Sequence, residues 1–599
     1  MSLVLLVVLL ACMAFRVARA ALYTSPAQLP VNRTYDYVIV GGGTGGSVVA
    51  ARLSEDKSKN VLVIEAGGRA EDFPSIPIPY VCTTLSPRTL VDWNTTTVPQ
   101  TGLNGRVINY PRGRVLGGSS SINYMLWSTG TKDDFNSFAT ITGDNGWSWK
   151  SVRPMIKSIE HLVPPADHHN TAGAVDPQIH GTRGPIPISL QGFPTLLDRR
   201  IIRTTQELCD EFPFNEDMNS GSPLGVGWTQ YSIGNGTRAS AATSYLLPAL
   251  AAHENLDVLI NTQATKLVQT GKEGRLPVFR GVELAQSFDG PRVIVKAKQE
   301  VVLAAGVVAT PQLLMLSGIG NKTALQTLGI KPILNLPDVG QNLQDHVVLP
   351  NNFIINANFS QEDLIRNVTL QEEALAQWAQ TRTGQAATPP GLHSAWLRLP
   401  KNASVFKSVQ DPSPGPTSPH YGFIFAEAFS SFAEPVPPTG RFMVISTNLF
   451  QPTSRGTVTL NSTNPFATPL VDPQFLSTPF DIFTLREAVK AARRFASAPA
   501  WHGFIAGEYG EFAQARTDDE IEAYARKTAA TVFDPVGTAR MTGWKDNEGV
   551  VDPDMKVKGA KGLRVVDASV FPRVPSLHPQ GYLYIFAERA AKLMKEDSM

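Results

Sequence analysis

Three glycines and a more distant glutamate carry the first chemistry legible in this 599-residue chain. Gly41, Gly43 and Gly46 have the G-x-G-x-x-G spacing, and Glu65 follows 19 residues after Gly46. Such a pattern handles the pyrophosphate of a dinucleotide. The first glycine permits a tight turn, the second lets the pyrophosphate approach the backbone, and the third lets a helix pack closely on a strand. Thr44 and Gly45 belong to the same turn, at a helix N-terminus whose free N–H groups and partial positive charge attract an anion. Glu65, with Ala66 beside it, is placed to hydrogen-bond ribose hydroxyls. A carboxylate there repels a 2′-phosphate and disfavours NADP.

The flanking residues supply the elements that must position this turn. Tyr37, Val38, Ile39 and Val40 form a short apolar run that reads as a buried strand. Val48, Val49, Ala50 and Leu53 recur at helical intervals, and Val61 to Ile64 is a second strand ending at Glu65. Strand, glycine turn, helix, strand and acid compose a dinucleotide-binding βαβ unit. Farther on, Gly117, Gly118, Ser119, Ser120 and Ser121 precede an apolar run of Ile122, Met125 and Leu126. That order predicts a second helix N-terminus, able to admit a planar ligand and hold its polar edge.

Residues 70–112 read as a long loop over the ligand, with Asp92-Trp93-Asn94 as a candidate lid. Residues 255–306 hold runs at Leu256–Ile260, Val293–Val295 and Val301–Ala304 that read as strands returning to the nucleotide domain. Phe423 and Phe425 alternate like core residues of a strand, whereas Phe429 and Phe432 precede a Pro-rich turn and are candidates for a pocket gate. Residues 480–530 read as two helices, with Leu485, Ala488, Val489 and Ala492 on one face.

Composition bounds the function. A formal net charge of +1 argues against a nucleic-acid footprint. Residues 3–15 are almost wholly apolar, and Val17-Ala18-Arg19-Ala20 resembles a cleavage site, so residues 1–20 read as a secretory signal peptide. The run is too short to span a bilayer, and no other stretch is apolar enough. Eight sequons, at Asn32, Asn94, Asn235, Asn321, Asn358, Asn367, Asn402 and Asn461, suit a secreted, glycosylated exterior. Cys82 and Cys209 leave one disulfide open as a possibility, and no Cys/His cluster has zinc spacing, so no metal is expected.

The stretch from Gly113 to Asn136 resembles the first signature of the glucose–methanol–choline (GMC) family of FAD-dependent oxidoreductases. Gly113, Arg114, Leu116, Gly117, Gly118, Ser119, Ser120, Ile122, Asn123, Trp127, Gly130 and Asn136 fit it. A second signature is visible from Gly306 through Thr310-Pro311 to Gly320, with Val307 where a small residue is usual. Asp92-Trp93-Asn94, Val163-Pro164-Pro165-Ala166-Asp167, Ile186-Pro187-Ile188-Ser189-Leu190 and Leu476-Ser477-Thr478 are similar to fungal aryl-alcohol oxidases.

The resemblance implies an α/β fold. It has a discontinuous Rossmann-like FAD-binding domain (residues 35–145, 226–348 and 530–599) and an α+β substrate-binding domain with an antiparallel sheet (146–225 and 349–529). It also implies that Asp567 and Ala568 meet the cofactor, that Gln580 sits near the flavin, and that Asn123, Gly117 and Gly118 belong to the cofactor site. Phe429 and Phe533 are implied at the substrate pocket.

Oxidising an alcohol requires a base for the hydroxyl proton and an acceptor for the hydride. The family uses a histidine as base and a second His or Asn to steady the oxygen. Carried over, the first position is Asp534 and the second is His578. Asp is less basic than His by about 2.6 pKa units, or roughly 3.5 kcal/mol. The expectation is therefore that His578 works as the base with Asp534 accepting its hydrogen bond, or that the reaction is altered. Thr95 also stands where those oxidases present a tyrosine lid. The expected activity is oxidation of a primary, aromatic alcohol to the aldehyde, with oxygen or a quinone taking the electrons. The alternatives are a lyase-like FAD enzyme, a diverged secondary-metabolism relative, or a glycosylated FAD-containing protein that has lost turnover.

Overall fold

The computed structural model describes residues 21–598. The expected signal peptide lies outside the described residues. Among those described, no helix is long and apolar enough to cross a membrane.

The strand Tyr35–Val40 is buried along its whole length, as its apolar sequence requires. It pairs in parallel with Val61–Ile64, Tyr37 opposite Val61 and Val40 opposite Ile64. This register sets Gly41 and Glu65 side by side at the carboxyl ends of the two strands. Between them runs the helix Thr44–Leu53, with Val48, Val49 and Ala50 fully buried. Gly41 has φ +106°, and a Cβ there would stand 2.2 Å from the Ala304 carbonyl oxygen. A Cβ on Gly46 would stand 1.9 Å from the Gly41 carbonyl oxygen, so only glycine lets helix and strand approach this closely.

Remote segments complete this sheet. Leu256–Leu259 joins the far side of Val61–Ile64, and Val293–Leu303 joins the far side of Tyr35–Val40, both in parallel. Leu563–Val565 also pairs in parallel with Val293–Leu303. Gln263–Glu273 and Leu276–Ala285 extend the sheet as an antiparallel meander, making eight strands with the edge strand Ala21–Tyr23.

A second, seven-stranded sheet is antiparallel throughout, in the order Ile505–Glu508, Val347–Ile355, Phe442–Leu449, Tyr421–Ala426, Gly391–Leu397, Gly225–Trp228, with Ala530–Thr531 on Val347–Ile355. The helix Pro479–Ala496 packs its Leu485, Ala488, Val489 and Ala492 face against it, all fully buried with Phe423 and Phe425 in the same core.

Three expectations change. Residues 226–228 and Ala530–Thr531, assigned to the nucleotide domain from sequence, pair within the second sheet, and so does Val347. No helix forms over residues 122–126; Gly118–Ser121 is a single tight turn, and Met125 at φ +62° leads into the short strand Leu126–Trp127. Left-handed residues at Gly117, Gly118 and Met125 break the helical path that the apolar spacing suggested. Cys82 and Cys209 are both free, one buried and one exposed.

Candidate functional site

One continuous cavity runs from the glycine turn of the first sheet to the floor of the second. At its nucleotide end, Gly41, Gly43, Thr44 and Gly45 form the wall. Gly43 caps the helix Thr44–Leu53 without any side-chain cap, so first-turn N–H groups stay available to an anion. A Cβ on Gly43 would find no atom nearer than 3.8 Å, whereas one on Gly45 would lie 2.1 Å from the Val566 carbonyl oxygen. Gly43 thus borders open cavity and Gly45 touches protein. Gly118, at φ +55°, brings the second glycine turn against the first; its Cβ would be 2.8 Å from Gly43 Cα. Two bare backbones therefore meet where a pyrophosphate would pass.

Glu65 accepts from the backbone N–H groups of Gly42 at 2.9 Å and Gly67 at 2.7 Å. Burial pushes its carboxyl up to about 7, against the pull of these N–H groups and of Arg114. Ala66 lines the cavity beside it. Asp567 and Ala568 also reach the wall, but the Asp567 carboxylate is engaged internally. It accepts from Gly306 N at 2.9 Å, Thr310 Oγ1 at 2.6 Å and Ser569 N at 2.8 Å. It ties the helix Gly306–Leu316 to the C-terminal segment. The side-chain amides of Asn123 and Gln580 bond to each other, and Gln580 Nε2 also donates to Ser232 Oγ at 3.0 Å.

At the other end stand the groups expected to do chemistry. His578 Nδ1 donates to Asp534 Oδ2 at 2.8 Å. An ionised carboxylate only accepts, so the proton sits on Nδ1 and Nε2 carries the lone pair. That Nε2 is buried and has no protein partner. The rings of Phe450 and Trp396 meet the imidazole edge-on at 5.4 and 5.8 Å, which fixes its plane. Ser128 Oγ donates to the His578 carbonyl at 3.0 Å. Burial opposes ionisation of Asp534, but the neighbouring His578 and His346 rings and their hydrogen bonds bring its carboxyl down to about 2.

Asp534 is aimed by its neighbours. Phe533 adopts φ +69°, a left-handed conformation that costs an aromatic residue about 1–3 kcal/mol. Thr531 Oγ1 accepts from Phe533 N at 2.7 Å, and Arg112 donates to the Phe533 carbonyl at 2.6 Å, so both sides of the turn are held. Asp345 accepts from Asp534 N at 3.0 Å.

Gly46 and Gly117 do not line the cavity; they make the close packing behind it. Phe429, expected at the pocket, is a correction. It is buried against Phe442 and Tyr509, with ring centroids at 5.4 and 5.9 Å, and is absent from the cavity wall. Its backbone N–H is bound by the buried Glu362, which draws the residue inward. The half-exposed Phe432 instead meets Phe533 edge-on at 6.1 Å, and Phe533 meets Tyr124 at 6.4 Å.

Sequence reading missed His346. It is fully buried and its Nδ1 lies 3.0 Å from the same Asp534 oxygen that His578 uses. A signal existed: Asp345-His346 leads straight into the apolar run Val347-Val348-Leu349, an unusual place for two titratable groups.

Residues 35–348 and 452–587 match the N- and C-terminal descriptions of the GMC oxidoreductases. The chain is 39% identical over 605 residues to a pyranose dehydrogenase of Agaricus campestris, covering 97% of both chains. A formate oxidase of Aspergillus oryzae, solved in work on FAD modification, superposes with a TM-score of 0.86 at 28% identity, over 94% of this chain and 99% of its own. A structure described as a new fungal aryl-alcohol oxidase gives a TM-score of 0.80 at 27% identity, over 94% and 99%.

Proposed function

This chain belongs to the GMC oxidoreductase family, as an FAD-dependent enzyme acting on CH–OH groups, and we propose that it oxidises a primary, aromatic alcohol to its aldehyde. FAD, when bound, supplies the hydride acceptor. Gly43 and Gly118 would hold its pyrophosphate region, and Glu65 its ribose. The reaction's proton goes to His578 Nε2. Asp534 keeps that nitrogen bare by holding the other proton at Nδ1, and stabilises the imidazolium once the proton arrives. The observation that carries this reading is the His578 ring itself: one nitrogen tied to a buried carboxylate, the other unpartnered.

The Tyr124 and Phe533 rings on the cavity wall, set edge to face, support a flat, apolar substrate body. A second reading, oxidation of a pyranose, is favoured by the 39% identity to the Agaricus campestris relative. Anaerobic mixing separates the two. Bleaching of the flavin absorbance by a benzylic alcohol, and not by D-glucose, is expected. The reverse pattern establishes the sugar reading, and turnover without bleaching establishes lyase-like chemistry. Reoxidation by oxygen or by a quinone then identifies the electron acceptor.

We also propose that the protein is secreted and glycosylated. All eight sequon asparagines are exposed in the fold. Material from the culture medium is expected to begin at Ala21 and to gain mobility after treatment with peptide N-glycosidase. Unchanged mobility removes this proposal.

A further inference from the structure

His346 is the buried titratable group that the proton transfer above leaves unused. Its side chain is fully buried, in the strand Val347–Ile355's lead-in, with Phe450 edge-on at 4.7 Å. Nδ1 lies 3.0 Å from Asp534 Oδ2, and Nε2 lies 3.0 Å from the carbonyl oxygen of Pro575. A backbone carbonyl can only accept a hydrogen bond, and so can an ionised carboxylate. Both ring nitrogens of His346 thus face acceptors, and both need a hydrogen.

We propose that His346 is a standing imidazolium, doubly protonated throughout turnover, that pins the ionised Asp534 and through it the Nδ1–H tautomer of His578. It is a positioning residue: it touches Asp534, and Asp534 touches the base. The inference rests on the assignment of His578 as base.

Charge balance supports it. Asp534 is not the only carboxylate here. Asp345, adjacent in sequence to His346, accepts from Thr531 Oγ1 at 2.7 Å and from Asp534 N at 3.0 Å. The Tyr110 phenol stands beside Asp345, and Arg112 is bound to the neighbouring Phe533 carbonyl. Two buried carboxylates beside two neutral imidazoles would be strongly unfavourable. A cation at His346 leaves these four groups with one net negative charge at rest. They become neutral when His578 accepts the substrate proton. The proton thus arrives at four buried groups that together carry a net negative charge.

Neutron diffraction from crystals of the wild-type, FAD-loaded enzyme reads the proposal directly. Deuterons are expected on both Nδ1 and Nε2 of His346, and on Nδ1 alone of His578. A single deuteron on His346, or one on Asp534, overturns it. This measurement uses no substrate, so its failure leaves alcohol oxidation standing, and failure of alcohol oxidation leaves it readable.

His346→Gln, which cannot carry the charge, is expected to lower kcat about ten- to hundredfold, the scale of one charge-assisted hydrogen bond, with little change in KM. The midpoint potential of the bound FAD is expected to fall, and the pH profile of kcat to shift. His346→Lys is expected to recover the potential, since it restores the cation. An unchanged potential in His346→Gln rejects the charge role.

Discussion

Asp534 and His578 work as a dyad whose two members cannot exchange roles. The carboxyl is held near 2 by two imidazoles, so it is too weak a base to take an alcohol proton. What it does is orient. Replacing Asp534 with Asn removes the acceptor charge and admits the wrong His578 tautomer. The expected loss is about 10²- to 10⁴-fold in the rate of alcohol-driven flavin reduction, at unchanged FAD content. Stopped-flow absorbance under anaerobic conditions measures it, and a wild-type rate refutes the assignment. The dyad was partly visible in the sequence, because Asp534 occupies a motif position and His578 another. That Asp534 also meets His346 was not, since 188 residues separate the two and the pairing of Val347 with Thr531 brings them together.

The glycine turn separates folding from binding within a single element. Gly45 packs on the Val566 carbonyl, while Gly43 faces the cavity. Gly45→Ala drives a Cβ to within 2.1 Å of a backbone oxygen, and the chain must move. A loss of about 1–3 kcal/mol or more is expected, seen as a lower midpoint in thermal unfolding. Gly43→Ala has room in the protein and an ordinary negative φ of −76°, so the ligand-free midpoint should hold while FAD affinity drops. Equal effects of the two substitutions on the ligand-free midpoint would contradict this division. The spacing of the glycines announced the turn; which glycine faces ligand and which faces protein depended on Val566, more than 500 residues away along the chain.

Across the whole molecule, buried charge also ties together segments that lie outside the two large sheets. His180 lies between Asp217, at 2.8 Å from Nε2, and Glu160, at 3.2 Å from Nδ1, and Glu160 also accepts from Trp127 Nε1 at 2.9 Å. Burial disfavours the imidazolium, but the two carboxylates outweigh it and push His180 up to about 10. A raised histidine stabilises the fold fully below its unfolded value of about 6.5 and loses that contribution as pH climbs toward 10. The thermal midpoint should therefore fall between pH 7 and pH 10, and His180→Gln should flatten that slope. An equally steep slope in the variant would place the pH dependence elsewhere.

Read without its fold, the chain determined what local spacing can encode: the βαβ unit at 35–65, the glycine turn, the buried Phe423/Phe425 strand and the apolar face of the helix at 479–496. Those features depend on residues a few positions apart, where backbone geometry alone sets the period. Tertiary structure decided the rest. It moved residues 226–228 into the second sheet, turned Phe429 away from the cavity, replaced the helix after Ser121 by a left-handed turn, and set His346 behind Asp534. Each of these depends on a partner more than ten residues distant, and the energy of burying a side chain or satisfying a carboxylate is not written in the residue that receives it.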